Sequence, residues 1–68
     1  MENIEYLKKQ ITVTINLFNA KRFDELILKG RTLIKKFPNQ PIFYNITALA
    51  YNAVGKSEEA KKLLTKIL

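Results

Sequence analysis

The sequence predicts an all-α protein built from two antiparallel helical hairpins in series. Apolar residues recur every three or four positions along most of the 68-residue chain, which is the spacing of one face of a helix. Only two glycines and two prolines are present, and three of these four residues stand where a helix is expected to start or stop. The short polar segments between the apolar stretches favour antiparallel neighbouring helices.

The first hairpin is predicted from two helices, at about 3–20 and 23–36. The first of them is apolar around more than half of its circumference, so it is expected to pack on two sides. The second has Asp24 and Glu25 in its first turn and lysines in its last, as the helix dipole prefers.

The second hairpin begins after the segment 37–41. Pro38 disfavours further helix, whereas Pro41 suits the first turn of a new one. This third helix is expected to end near Gly55, because glycine readily adopts the left-handed cap conformation. Ser57 is predicted to be the N-cap of the fourth helix, which stays apolar to Leu68.

The composition excludes several kinds of chemistry. The chain has no cysteine and no histidine, so disulfides, thiolate nucleophiles and imidazole acid–base catalysis are ruled out. Its acidic residues occur mainly as adjacent pairs, which point to different faces of a helix. No apolar run approaches the roughly 20 residues of a membrane span. We therefore expect a cytoplasmic protein that is not an enzyme, needs no metal or cofactor and does not bind membranes.

The second hairpin resembles the tetratricopeptide repeat (TPR), a two-helix unit that stacks into α-solenoids with a period of 34 residues. The resemblance covers about residues 7–68 and implies one hairpin in 1–40 and a second, without a capping helix, in 41–68. The matching residues are two aromatic residues around a small one, a turn glycine, a Glu-Ala pair and two large apolar residues: Tyr44, Ala48, Tyr51, Gly55, Glu59, Ala60, Leu64 and Ile67.

The first hairpin departs from the TPR pattern at four positions. Gln10 stands where a large apolar residue is usual, and Thr14 where a smaller one is. Leu26 occupies a small-residue position and Gly30 a large-residue position one turn later, which is a volume-compensating exchange. Because a mid-helix glycine costs about 1 kcal/mol, Gly30 is expected to have a packing role.

The resemblance implies a concave surface lined by the first helix of each hairpin and used for binding polypeptides. Its lining would be mostly aliphatic, which fits an amphipathic helix or an apolar peptide and not a clamp for a C-terminal carboxylate. The alternative is that these residues are buried against another copy or against further helices. The predicted peptide-binding residues are Ile11, Ile15, Phe18, Ile42, Asn45, Ile46, Leu49 and Asn52.

Self-association is a second expectation. About three repeats are usually needed for an independent fold, and this chain has two. Its ends suggest either an N-terminal piece of a longer array or a small protein that forms homo-oligomers. The residues expected to lack a partner within the chain are Phe43, Leu63, Ile67 and Leu68.

The net charge is +6, and seven of the twelve basic residues lie on the second helix of each hairpin. A solvated face explains this charge, because lysines in last turns complement helix dipoles. Nucleic-acid binding is the alternative, although the aromatic residues belong to the packing pattern. The basic residues concerned are Lys29, Arg31, Lys35, Lys36, Lys61, Lys62 and Lys66.

Overall fold

The computed structural model describes residues 4–66, and within them the chain is entirely helical outside short turns. Its helices are α1 (Ile4–Asn19), α2 (Phe23–Lys36), α3 (Pro41–Ala53) and α4 (Ser57–Thr65). The predicted all-α class and the four predicted helices are therefore confirmed.

Helix α3 lies at the centre of the described fold. It packs against α1, α2 and α4, whereas α4 packs against α3 alone. The sequence accounts for this position, because α3 is the most apolar of the four helices. Two of its buried residues, Ala48 and Ala50, are small enough to let neighbouring helices approach closely.

The apolar core has two parts along the bundle. One is formed by Leu26, Ile46 and Ala50, against which Phe18 and Phe23 pack. The other is an aromatic cluster in which the Phe37 ring lies between Tyr6 and Phe43, with centroid distances of 6.1 and 5.9 Å. The Tyr44 hydroxyl donates a hydrogen bond to the Pro38 carbonyl at 3.1 Å, which fastens the turn between the hairpins.

Gly30 has the packing role that the sequence predicts. A methyl group added to its Cα would place a carbon 1.9 Å from Thr47 Oγ1 and 3.0 Å from Thr47 Cβ. Helices α2 and α3 therefore meet at a point where a side chain on α2 has no room. Leu26, one turn earlier on α2, is completely buried, consistent with the predicted exchange of volume.

The two polar residues of α1 that depart from the TPR pattern are also buried. Gln10 and Thr14 are the buried residues of this helix. The Thr14 hydroxyl donates a hydrogen bond to the Ile11 carbonyl at 2.8 Å, which satisfies it within its own helix. The Gln10 Oε1 atom has no hydrogen-bond partner among the described residues.

Helices α1 and α3 end in the same hydrogen-bonded cap, a Schellman motif. After α3, the Gly55 N–H bonds to the Asn52 carbonyl at 3.1 Å and the Lys56 N–H to that of Tyr51 at 2.8 Å. After α1, the N–H groups of Lys21 and Arg22 make the corresponding bonds, each at 3.0 Å. Gly55 has φ +82°, as the sequence predicts, but its counterpart Lys21 has φ +61° with a full side chain.

The predicted role of Ser57 is wrong. Ser57 is the first residue of α4, Lys56 is the N-cap, and no side chain caps the helix by a hydrogen bond. The reason is the cap of α3: its last bond is donated by the Lys56 N–H, so α4 starts directly after it.

The Lys21 backbone leads to a stability prediction. Replacing Lys21→Gly is expected to raise the free energy of unfolding by about 1 kcal/mol, because the left-handed conformation is strained for residues with a Cβ. In a chain of this size the melting temperature should rise by about 4–8 °C per kcal/mol. Thermal unfolding followed by circular dichroism measures it.

Lys56→Gly is the matched control, since it is the same substitution at the next position of the equivalent cap. Lys56 has φ −106°, so glycine relieves no strain there and only adds freedom to the unfolded chain. Equal effects of the two substitutions would contradict the assignment of strain to Lys21.

Candidate interaction surfaces

Large aliphatic side chains are exposed at matching positions of α1 and α3. Ile15 is 42% exposed and Leu49 is 51% exposed. Each lies four residues before the last residue of its helix, and the two helices pack against each other. The side chains of Asn45 and Asn52, one turn to either side of Leu49, are also exposed.

We call this surface the α1–α3 face and define it by six of the predicted peptide-binding residues. Ile11 on α1 and Ile42 on α3 are included as half-buried aliphatic residues. The face thus combines a few accessible aliphatic groups with two uncharged amides, which can donate and accept hydrogen bonds. Its residues are Ile11, Ile15, Ile42, Asn45, Leu49 and Asn52.

Two other predicted peptide-binding residues belong mainly to the core. Ile46 is only 7% exposed and packs with Leu26 and Ala50, so its prediction as an accessible anchor is wrong. The Phe18 ring is half-buried and stacks edge-on against Phe23 at 5.6 Å. Ile46 is buried because it belongs to the same core cluster as Leu26 of α2. Ala50, one turn later on α3, belongs to this cluster too.

The residues predicted for self-association have mixed outcomes. Phe43 is 0% exposed, so the prediction that it presents a free apolar surface is wrong. The aromatic cluster with Phe37 covers it from within the chain. Leu63 is half-buried, whereas Ile67 and Leu68 lie outside the described residues.

A second candidate surface lies between α2 and α4, which pack on α3 but not on each other within residues 4–66. Two cavities of about 390 and 250 Å³ occupy this space and share Arg31, Tyr51 and Glu59 as lining residues. We call them together the α2–α4 groove. Its other lining residues are Asp24, Ile27, Leu28, Lys56, Lys62, Leu63 and Lys66.

The sequence interpretation missed this groove, although one signal for it exists. Leu28 is off the apolar stripe of α2, on a side that it shares with Asp24, Arg31 and Lys35. In the structure it is 69% exposed, more than any other large apolar residue described. An isolated leucine among charged residues of one helix face was therefore the available clue.

The charged groups of residues 4–66 are mostly free of protein partners. Arg22 and Glu25 form the single ion pair of the described chain, and both side chains are more than half exposed. An exposed pair of this kind contributes about 0–1 kcal/mol. The same residues contain no group of three or more potential metal ligands.

No helix in the part of the chain that the structure describes is both long and apolar enough to cross a membrane. No match was found when the chain was compared with protein-family models, with curated proteins and with solved structures.

Proposed function

We propose that this chain is a non-catalytic, TPR-like interaction module that binds an apolar peptide or an amphipathic helix on its α1–α3 face. The observation that carries the proposal is the pair Ile15 and Leu49, left 42% and 51% exposed at corresponding positions of two packed helices. Fully burying an exposed leucine or isoleucine contributes about 1.5–3 kcal/mol, so each of these half-exposed side chains can contribute roughly half of that on binding.

The repeat character of the module is supported by the spacing of its helix ends. Asn19 and Ala53, which end α1 and α3, are 34 residues apart, and so are Phe23 and Ser57, which begin α2 and α4. This is the period of the family that the second hairpin resembles. In that family the first helix of each hairpin lines the ligand surface, and here those helices carry the exposed aliphatic pair.

The proposed ligand follows from the chemistry of the face. Ile15 and Leu49 favour aliphatic or aromatic side chains, which a helix presents on one face at intervals of three or four residues. Asn45 and Asn52 flank Leu49 with uncharged amides that can bond to polar groups at the edge of the ligand. Because no charge is needed, the face is expected to bind an uncharged amphipathic segment.

Replacing Leu49→Asp is expected to weaken binding at this face by about tenfold or more, since it removes a buried apolar contact and buries a charge. The probe is a displayed library of amphipathic helical peptides whose polar positions are serine and glutamine. Peptides enriched on the unmodified chain would be synthesised and titrated against each variant by fluorescence anisotropy.

Leu28→Asp is the matched control. It is the same substitution on an exposed helical leucine of α2, outside the α1–α3 face, and should leave the affinity within about twofold. Ile15→Asp is expected to act like Leu49→Asp. The proposal fails if the library yields no binder, or if Leu28→Asp weakens binding as much as Leu49→Asp.

A further inference from the structure

The α2–α4 groove combines apolar and charged side chains around Tyr51. The larger cavity is lined by Ile27 and by Leu28, the most exposed large apolar side chain described. Two cationic and two acidic side chains also line it: Arg31, Lys56, Asp24 and Glu59. The smaller cavity is lined by three cationic side chains, Arg31, Lys62 and Lys66, against the single carboxylate of Glu59. The two cavities thus share residues, and together they offer apolar side chains and an excess of cationic over acidic ones.

The cationic side chains of the smaller cavity come from two helices that do not touch each other. Arg31 extends from α2, whereas Lys62 lies in the last turn of α4 and Lys66 directly follows that helix. None of the three forms an ion pair with another residue in 4–66. Three cationic side chains against one carboxylate leave an excess of positive charge, which attracts an anionic partner.

We infer that the α2–α4 groove is a second binding site, which takes an acidic peptide segment bearing a large apolar side chain. Carboxylates of the segment would lie against Arg31, Lys62 and Lys66, and its apolar side chain would lie between Leu28 and Tyr51. The larger cavity, at about 390 Å³, is within the range of about 300–1,000 Å³ that holds compact ligand groups.

Charge distinguishes this occupant from two others. A second copy of the chain carries the same net charge of +6, so it would be repelled from a basic groove. A nucleic acid carries a phosphate on every nucleotide, so it would also bring negative charge against Asp24 and Glu59, which line the groove. A peptide can instead place its carboxylates at the cationic side chains and an uncharged residue near Asp24. Tyr51 is the single aromatic residue there, whereas single-stranded nucleic acids are bound by a series of stacked aromatics.

The test uses a displayed peptide library in which aspartate or glutamate alternates with leucine, phenylalanine or serine. A second library has lysine and arginine in place of the acidic residues. We expect the acidic library alone to yield binders of the unmodified chain. Combining Arg31→Glu with Lys62→Glu should weaken the selected peptides by about tenfold, since attraction is replaced by repulsion at two contacts.

Lys8→Glu combined with Lys9→Glu is the matched control, because it makes the same change in net charge at two exposed lysines of α1. It should leave the affinity within about twofold. Combining Arg31→Gln with Lys62→Gln, which only neutralises the two charges, should give a smaller loss in the same direction. The neutral double variant keeps the test decisive if the double variant with glutamates unfolds the chain.

Three results would overturn the inference. The first is that the acidic library yields no binder; the second is that the α1 control loses as much affinity as the groove variant. The third is that Leu49→Asp abolishes binding, which would place the acidic peptides on the α1–α3 face.

A short RNA or DNA duplex that binds through Arg31 and Lys62, when acidic peptides do not, would identify a nucleic-acid site instead. Failure of the α1–α3 proposal leaves these outcomes unchanged, since each site is probed by its own library.

Discussion

Replacing Phe43→Ala is expected to unfold most of the isolated chain. Phe43 is completely buried, and truncating a buried phenylalanine costs about 3–5 kcal/mol. A domain of 68 residues is expected to have a total stability of about 3–10 kcal/mol, so one substitution can remove most of it. Urea unfolding followed by far-ultraviolet circular dichroism measures the loss.

Phe37→Ala tests whether burial causes the effect, since it is the same change at a half-buried ring of the same cluster. Phe37→Ala should lower the free energy of unfolding by clearly less than Phe43→Ala does. If Phe43 instead served to hold two copies together, the loss at Phe43→Ala would depend on protein concentration. A loss below about 1 kcal/mol at any concentration would contradict the assignment of Phe43 to the core.

Replacing Gly30→Ala is expected to destabilise the chain by about 1–3 kcal/mol, although helix propensity alone predicts a gain of about 1 kcal/mol. The added methyl carbon would lie 1.9 Å from Thr47 Oγ1 and 3.2 Å from Thr47 Cγ2. Rotation of the threonine can move Oγ1 away, but it leaves Thr47 Cβ 3.0 Å from the added carbon, which is tighter than an ordinary carbon–carbon contact. The sign of the measured change distinguishes packing from propensity.

A double-mutant cycle isolates this contact. Thr47→Ala removes both branches and also a buried hydroxyl that has no hydrogen-bond partner among the described residues, so alone it should cost little. In combination it should restore much of the stability lost in Gly30→Ala, with a coupling energy of about 1 kcal/mol or more. Gly55→Ala is the control: a Cβ added there meets no atom within 4 Å beyond its chain neighbours, so Thr47→Ala should not rescue it.

The helix boundaries could be predicted from the sequence because their signals are local. Pro38 and Pro41 restrict the backbone at their own positions, and Gly55 readily adopts the left-handed conformation that ends a helix. The left-handed Lys21 could not be predicted in this way. Its conformation is imposed by the two cap hydrogen bonds after α1, and a lysine carries no signal for them.

The surfaces were harder to predict than the helices, for a physical reason. Helix α3 carries apolar residues on most of its circumference, so periodicity does not tell which of them the neighbouring helices cover. Phe43 and Ile46 are covered and Leu49 is not, and this depends on where α1, α2 and α4 pack. The α2–α4 groove likewise exists because two helices share α3 without touching, which is a property of the assembled bundle.

The proposed function depends most on the α1–α3 face being open in the free chain. Light scattering after gel filtration, over a range of concentrations, tests this by comparing the mass of the unmodified chain with those of Leu49→Asp and Leu28→Asp. If the face is open, Leu49→Asp leaves the mass unchanged, whatever the oligomeric state, because no second copy then covers Leu49. A larger species that Leu49→Asp reduces to monomers, while Leu28→Asp does not, would show that another copy fills the face and would contradict the proposal.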